Sequence, residues 1–307
     1  MSGYPVLRVK EENMLKIENI AKSYGSKKVL QGLNLNVADG SVFGLVGVNG
    51  AGKSTLLRCI AGVYQSDEGT ITLDDHNTWS EPSIRQKIAF VSDEQYCPVG
   101  ASLRTMHDFY AAHYSFDEAA YQKYLSIFEL EDDMRLNSMS KGMKRRSALL
   151  SALCIHPSLI LLDEAYDGLE PIARLRFKQA LADLVAEENV TVIISSHNLR
   201  ELEDICDSYG ILQDGKMLTY GDLLTSRENV NKYQLAFPDE KTQADFKDFD
   251  VLHFEKEGRV IQLVIRGDRE KTEQKLNALH PLVMDVLPAT FEELFIYEIE
   301  STGERHE

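Results

Sequence analysis

Residues Gly47 to Thr55 read GVNGAGKST. A glycine, four residues, then glycine-lysine-serine is the spacing of a phosphate loop, and the flanking sequence suits one. Ser41 to Gly47 (SVFGLVG) is a short apolar run of strand character, and Lys53 to Ala61 (KSTLLRCIA) has helical spacing closed by Gly62. In such a strand-loop-helix turn, glycines let backbone N–H groups close around a phosphate at a helix N-terminus, where the helix dipole already favours negative charge. Gly47, Val48, Asn49, Gly50, Ala51, Gly52, Lys53, Ser54 and Thr55 are therefore candidate nucleotide contacts. Lys53 is expected to reach the β- and γ-phosphates and Ser54 to ligate Mg2+.

Upstream, Met14 to Val37 alternates apolar and polar residues around KSYGSKK, the pattern of an antiparallel β layer. Downstream, a strand at Ile88 to Ser92 precedes a stretch rich in helix formers from about Leu103 to Ile155. This predicts a helical subdomain over about residues 96–156, without the sustained heptads of a coiled-coil arm. Leu159 to Asp163 (LILLD) and Val190 to Ser195 (VTVIIS) read as buried parallel strands separated by an amphipathic helix from about Pro171 to Glu188. An α/β core follows. Tyr209 to Tyr220 reads as a hairpin turning at Asp214-Gly215. After about Arg227 the pattern changes to strands at Tyr233 to Phe237, Val251 to Phe254 and Val260 to Ile265, with a helix from Arg269 to Leu279. Two domains are expected, 14–228 as a large α/β domain and 229–307 as a small α+β appendage.

The chain of 307 residues carries 33 Lys and Arg against 49 acidic residues, a net charge of -16. That balance repels nucleic-acid phosphates and anionic lipid alike, so no nucleic-acid partner is expected, and attachment to a membrane would run through a protein. The richest apolar stretch, Leu149 to Leu162, is broken by His156, Pro157 and two serines, so no segment is expected to span a bilayer. The N-terminal MSGYPVLRVKEEN has acidic residues where a signal peptide needs an apolar stretch. Cys59, Cys97, Cys154 and Cys206 lack metal or redox spacing and read as reduced, mostly buried thiols.

Asp163 and Glu164 end the strand LILLD and so emerge at the carboxyl edge of the sheet, where open α/β sheets bind ligands. Consecutive side chains point to opposite sides. One carboxylate is placed to hold Mg2+, directly or through water, and its neighbour to face an attacking water as general base. His197 follows VTVIIS at the same edge, within reach of a γ-phosphate.

The phosphate loop, SMSKGMKRR at Ser138 to Arg146, LLDE, EAYDGLEP and SSH, in that order and spacing, resemble an ATP-binding-cassette (ABC) ATPase over about residues 14–225. The resemblance implies a P-loop NTPase core and two cassettes sandwiching two ATP molecules head to tail, each signature segment capping the ATP of the other chain. Ser140 and Gly142 match the signature's serine and second glycine, Tyr24 the aromatic residue that stacks on adenine, and Gly168 and Leu169 the loop that crosses to the partner cassette. Lys141 replaces the signature's first glycine, Met143 its glutamine, and Glu170 the usual aspartate of the crossing loop. The sensor glutamine expected after the Ile88 strand falls on Asp93 in FVSDEQ, with Gln95 as the alternative.

The implied partners are an integral membrane permease subunit and a second ABC ATPase subunit, in a homodimer or a heterodimer. Residues about Asp93 to His113 would line the groove that receives a permease helix, leaving the chain cytoplasmic and peripheral at the inner face of the cell membrane. The single cassette, the SKGMKRR variant and the appendage most resemble ATPase subunits of bacterial exporters for antibiotics, antimicrobial peptides or other amphipathic cargo. The alternative is a non-transport cassette acting on ribosomes or DNA. Tandem cassettes or a long coiled coil would mark it, and the sequence has neither. Asp93→Gln is expected to retain MgATP binding while changing partner-stimulated turnover, measured as ATPase rate with and without the permease. Unchanged stimulated turnover would remove Asp93 from the site.

Overall fold

The computed structural model describes residues 13–166, 168–223, 229–287, 290, 292–293 and 296–297. The expected 228/229 domain boundary, the N-terminal MSGYPVLRVKEEN, Asp167 of EAYDGLEP and the last residues of the appendage lie partly or wholly outside them. The chain divides into two compact units, Met1–Met217 and Leu218–Glu307.

In the first unit, β1 (Asn13–Tyr24) pairs antiparallel with β2 (Lys27–Ala38). Alternate residues of β2, Leu33, Leu35 and Val37, turn into the core, so the binary pattern sets which face is buried. The sequence reading missed β4 (Glu68–Leu73) and β5 (His76–Asn77), which complete a sheet of order β2-β1-β4-β5. Only Ile71 and Leu73 of β4 are buried, too few to write a period into the sequence. Gly69 is required where β4 meets β1, since its φ is 80° and a Cβ there would lie 2.3 Å from the Glu18 carbonyl oxygen.

The second sheet holds β3 (Val42–Val46), β6 (Ile88–Val91), β7 (Leu159–Asp163), β8 (Thr191–Ser196) and β9 (Ser208–Gln213), with β10 (Lys216–Asp222) turning back from β9 at Asp214-Gly215. Its order is β10-β9-β3-β8-β7-β6. Every residue of β3, β7 and β8 is buried, as parallel strands covered on both faces require. The order places the carboxyl ends of β3, β8 and β7 side by side, with Val46 opposite Ser196 and Asp163 opposite Ser195.

Two helices carry the loops between these strands: α1 (Lys53–Ile60), which buries Leu56, Leu57 and Ile60, and the short α2 (Pro82–Arg85). The helical stretch resolves into α3 (Leu103–His113), α4 (Glu118–Phe128) and α5 (Lys141–Leu153). Each starts on a side-chain cap: Ser102, Asp117 and Ser140 accept from the backbone N–H of Thr105, Ala120 and Met143. Next come α6 (Pro171–Glu188), opened by proline at its first position and stopped by left-handed Asn189, and α7 (Leu199–Glu203). Among the described residues no helix is long and apolar enough to cross a membrane. Cys59, Cys154 and Cys206 are buried and Cys97 half-buried, all unbonded. Burial pushes the Cys59 thiol up to about 11 and Cys154 up to about 12.

The second unit has its own sheet, ordered β12-β13-β11-β14, from β11 (Val230–Ala236), β12 (Asp250–Glu257), β13 (Val260–Arg266) and β14 (Val283–Leu287), with α8 (Arg269–Asn277) before the last strand. Tyr233, Leu235, Phe246, Leu263 and Leu276 centre its core. Phe246 is fully buried, with Phe237, Phe249 and Phe254 ring centroids at 6.0, 6.2 and 6.1 Å. Phe246→Ala is expected to destabilise this unit by about 3–5 kcal/mol through the cavity left behind, read as a shift in its chemical-denaturation midpoint.

Candidate active site

The phosphate loop leaves β3 and enters α1 through residues that need glycine. Gly52, the N-cap of α1, has φ 112°, and a Cβ there would meet the Val29 carbonyl oxygen and the Leu30 side chain at 3.0 Å. A Cβ on Gly47 would lie 2.4 Å from the Leu212 carbonyl oxygen, so β9 closes on the loop from behind. Gly50 faces open space but has φ 86°. Ala51 and Thr55 are buried, and Val48, Asn49 and Gly50 form the exposed crest.

Lys53 is 5% exposed, and its ammonium donates to the Gly47 carbonyl at 2.6 Å and the Val48 carbonyl at 3.4 Å. Its counter-charge is Glu164 Oε1 at 3.2 Å. The other oxygen of that carboxylate, Oε2, lies 2.9 Å from His197 Nδ1 and accepts from the His197 backbone N–H at 3.4 Å. A bond from Nδ1 to a carboxylate is one in which Nδ1 carries the proton. Asp163 takes a separate set of partners. Its Oδ1 accepts from Ser54 Oγ at 3.1 Å and Ser195 Oγ at 2.8 Å. Ser195 Oγ in turn accepts from the Glu164 backbone N–H at 3.1 Å. The two carboxylates thus act separately, as strand alternation predicts, but Glu164 also has a left-handed backbone, φ 49°, which turns it out of β7.

Lys53, Ser54, Asp163, Glu164 and His197 form one connected cluster. Among the described residues, no direct hydrogen bond, ion pair or ring contact joins Tyr24, Asp93, Ser140 or Gly142 to it, and Asp93 reaches the Asp163 backbone carbonyl only through Arg145. Tyr24 is half exposed and meets Tyr64 edge-on at 6.1 Å, with Arg58 of α1 over the Tyr64 ring at 5.8 Å. Ser140 caps its own helix. Gly142 packs so closely on the loop after Glu164 that a Cβ there would lie 2.6 Å from the Gly168 carbonyl oxygen. Leu169 is buried, and Glu170 caps α6 without a side-chain bond. Asp93 pairs with Arg145 at 2.8 Å and Lys141 at 3.8 Å, and Gln95 donates to the Ser92 carbonyl.

Two residues went unassigned in the sequence. The sequence shows Ser195 as the end of the strand VTVIIS and the start of SSH, and a hydroxyl ending an apolar strand beside LLD is the signal of a polar group awaiting a buried partner. Arg145 stands at i, i+4 and i+7 spacing with Leu149 and Ala152, which places it on the buried face of α5.

The cluster suits a nucleotide phosphate with Mg2+. Asp163 is fully buried, yet its Oδ2 has no hydrogen-bond partner, and an unpaired carboxylate oxygen beside a serine hydroxyl is what a hard cation seeks. Asp163 and Ser54 would hold the ion, the loop N–H groups and Lys53 the phosphates. Bound there, Mg2+ neutralises charge on the phosphate oxygens. Glu164, aimed by Lys53 and His197, is placed to accept a proton from water. Ser195→Ala is expected to lower kcat about 10- to 100-fold and to raise the Mg2+ concentration needed for half-maximal rate. Ser195→Thr, which keeps the hydroxyl, is expected to recover most of the loss, and an alanine variant with normal kcat and Mg2+ response would exclude the role.

Residues 30–167 match the family model described as ABC transporter. The ABC transporter ATP-binding protein YtrB of Bacillus subtilis is 28% identical over 92% of this chain and 97% of its own length. The lantibiotic transport ATP-binding protein SrtF of Streptococcus pyogenes is 31% identical over 67% of this chain and 89% of its own. Among solved structures, a dimeric ATP-binding cassette in a post-hydrolysis state, bound to ADP and Pi, superposes with a TM-score of 0.63 at 25% identity, covering 68% of this chain and 99% of that one. The matched residues 30–167 include Lys53, Ser54, Asp163 and Glu164, and these likenesses place the chain in the ABC transporter family as an ATP-binding subunit that hydrolyses ATP with Mg2+.

Proposed function

We propose that the chain powers a separate membrane permease that exports a peptide, antibiotic or other amphipathic cargo, working with a second ABC ATPase subunit that is either a copy of itself or a different chain. In this reading residues 14–228 form the ATPase and 229–307 an appended α+β domain, and the permease holds the chain at the inner face of the cell membrane. Lys53 grips the terminal phosphate, Ser54 and Asp163 the magnesium, Glu164 takes the proton of the attacking water, and His197 steadies it. Tyr24 stacks on adenine, while Ser140 and Gly142 reach the ATP held by the partner cassette.

The observation that carries the permease is a run of uncovered apolar side chains. Tyr96 is 87% exposed, Val99 96% and Phe109 52%, all within the Asp93 to His113 segment. Exposed apolar groups clustered on one segment suit an amphipathic helix from another protein. An acidic chain of net charge -16 has little attraction for anionic lipid, so a protein contact is the means of attachment. The direction of transport and the cargo class rest on the names of relatives such as SrtF.

The test is transport itself. The complex of this chain with its membrane permease, reconstituted in inverted vesicles, is expected to move amphipathic peptide inward with ATP and to stop with Glu164→Gln. ATP-driven movement of a nutrient in the opposite direction would overturn the export reading while leaving the ATPase intact.

A further inference from the structure

Two of the four positions that depart from the ABC pattern lie in different segments: Asp93, where a glutamine is expected, and Lys141, where the signature has its first glycine. The fold brings them together. Asp93 follows β6, and its Oδ1 lies 3.8 Å from Lys141 Nζ and 2.8 Å from Arg145 Nη2, both on α5. Lys141 is 65% exposed at that distance, so its contribution is small. Arg145 is 1% exposed and is the largest fully buried side chain of the described residues.

Arg145 reaches three acceptors on two strand ends. Nη1 donates to the Ser92 carbonyl at 2.8 Å and to the Asp163 carbonyl at 3.1 Å, while Nη2 binds Asp93. Its Nε has no acceptor, so the two terminal nitrogens hold the whole group. A buried guanidinium is tolerated only when a counter-charge offsets its desolvation, and Asp93 is that charge. A glutamine at position 93 would leave Arg145 with neutral acceptors alone, which accounts for the carboxylate here. One turn earlier on α5, Gly142 rests against the Gly168 carbonyl. The start of α5 therefore touches the chain on both sides of Glu164.

We infer that Arg145, with Asp93 as its counter-charge, is a positioning residue for ATP hydrolysis, fastening the signature helix to the ends of β6 and β7 and so setting where the Asp163–Glu164 edge stands. This rests on the reading of Asp163 and Glu164 as the catalytic edge. The fixed guanidinium ties that edge to α5 and to the segment offered to the permease, so a displacement of either reaches the catalytic carboxylates through one side chain.

The experiment compares steady-state MgATP turnover and MgATP binding by the purified full-length chain with Arg145→Gln, Arg145→Lys, Asp93→Gln and the Arg145→Gln/Asp93→Gln double variant. Arg145→Gln is expected to lower kcat about 10- to 100-fold. KM and MgATP affinity are expected to stay within about twofold, the mark of an interaction that acts on the transition state. Arg145→Lys is expected to recover part of kcat, and the double variant to be no slower than Arg145→Gln, because both changes break one pair. A folded Arg145→Gln with normal kcat, a loss that falls equally on binding and turnover, or single effects that multiply in the double variant would each overturn the inference. Should Arg145→Gln fail to fold, Arg145→Lys and Asp93→Gln decide: lowered kcat at unchanged KM and unchanged unfolding midpoint supports positioning, and wild-type kcat in both refutes it. A wild-type chain that neither binds nor hydrolyses MgATP would instead refute the site assignment beneath it.

Discussion

A carboxylate removed from water must find donors for its oxygens, and Asp163 finds them for one oxygen only. Its Oδ1 takes the hydroxyls of Ser54 and Ser195, while Oδ2 is buried with no partner. Leaving a charged acceptor unpaired costs at least about 1–3 kcal/mol, so the rest of the structure must hold this arrangement in place against that strain. It does so through register. Asp163 sits opposite Ser195 on β8, β8 lies beside β3, and the loop leaving β3 delivers Ser54 as the second residue of α1. A shift of one residue between β7 and β8 would turn Ser195 away from Asp163, and one between β3 and β8 would displace the loop that delivers Ser54. The full burial of β3, β7 and β8 makes such a shift costly, so the hydrophobic core fixes the polar site.

Legibility followed how much of each element's burial was written as a pattern. β7 occupies the run LILLD that the sequence marks out, and α6 the stretch from Pro171 to Glu188, because a continuous apolar run and a proline-opened helix need no tertiary information. The Asp214-Gly215 turn was readable since both residues tolerate the positive φ that a tight hairpin requires, 48° and 75° here. β4 and β14 were not, as neither buries enough side chains to show a period of two. The carboxylate edge was visible from motif order, but Ser195 and Arg145 were not assigned. Their roles depend on which strand ends the sheet places next to each other, and no local spacing encodes that.

Charge is distributed with the same economy. Acidic residues exceed basic ones by a wide margin along the chain, yet two of the buried cations, Lys53 and Arg145, stand at the carboxyl edge of the second sheet. Each is held by backbone carbonyls and one carboxylate, Glu164 for Lys53 and Asp93 for Arg145. Lys53 is poised to exchange partners, because a phosphate competes directly with Glu164 for its ammonium and would leave that carboxylate for water. Arg145 is boxed between two strand ends and has no such freedom. One buried cation can therefore answer to ligand while the other keeps the frame still.

The same contrast bears on the mouth of α5. Ser140 Oγ already accepts the Met143 N–H at 3.2 Å as the helix cap, which at first sight uses up the residue that the ABC resemblance assigns to a second chain's nucleotide. A hydroxyl, however, has one proton to donate and two lone pairs to offer, and the cap takes a single lone pair. The proton stays available for an anion, and capping fixes the oxygen in place without consuming its donor. The backbone N–H groups of Lys141 and Gly142 lie in the first turn, where a helix has no acceptors of its own, and they point the same way as the dipole. Gly142 allows no Cβ against the Gly168 carbonyl, so the residue that presents one of these N–H groups is locked to the loop that follows Glu164. Anything that bound at this helix mouth would press on that loop.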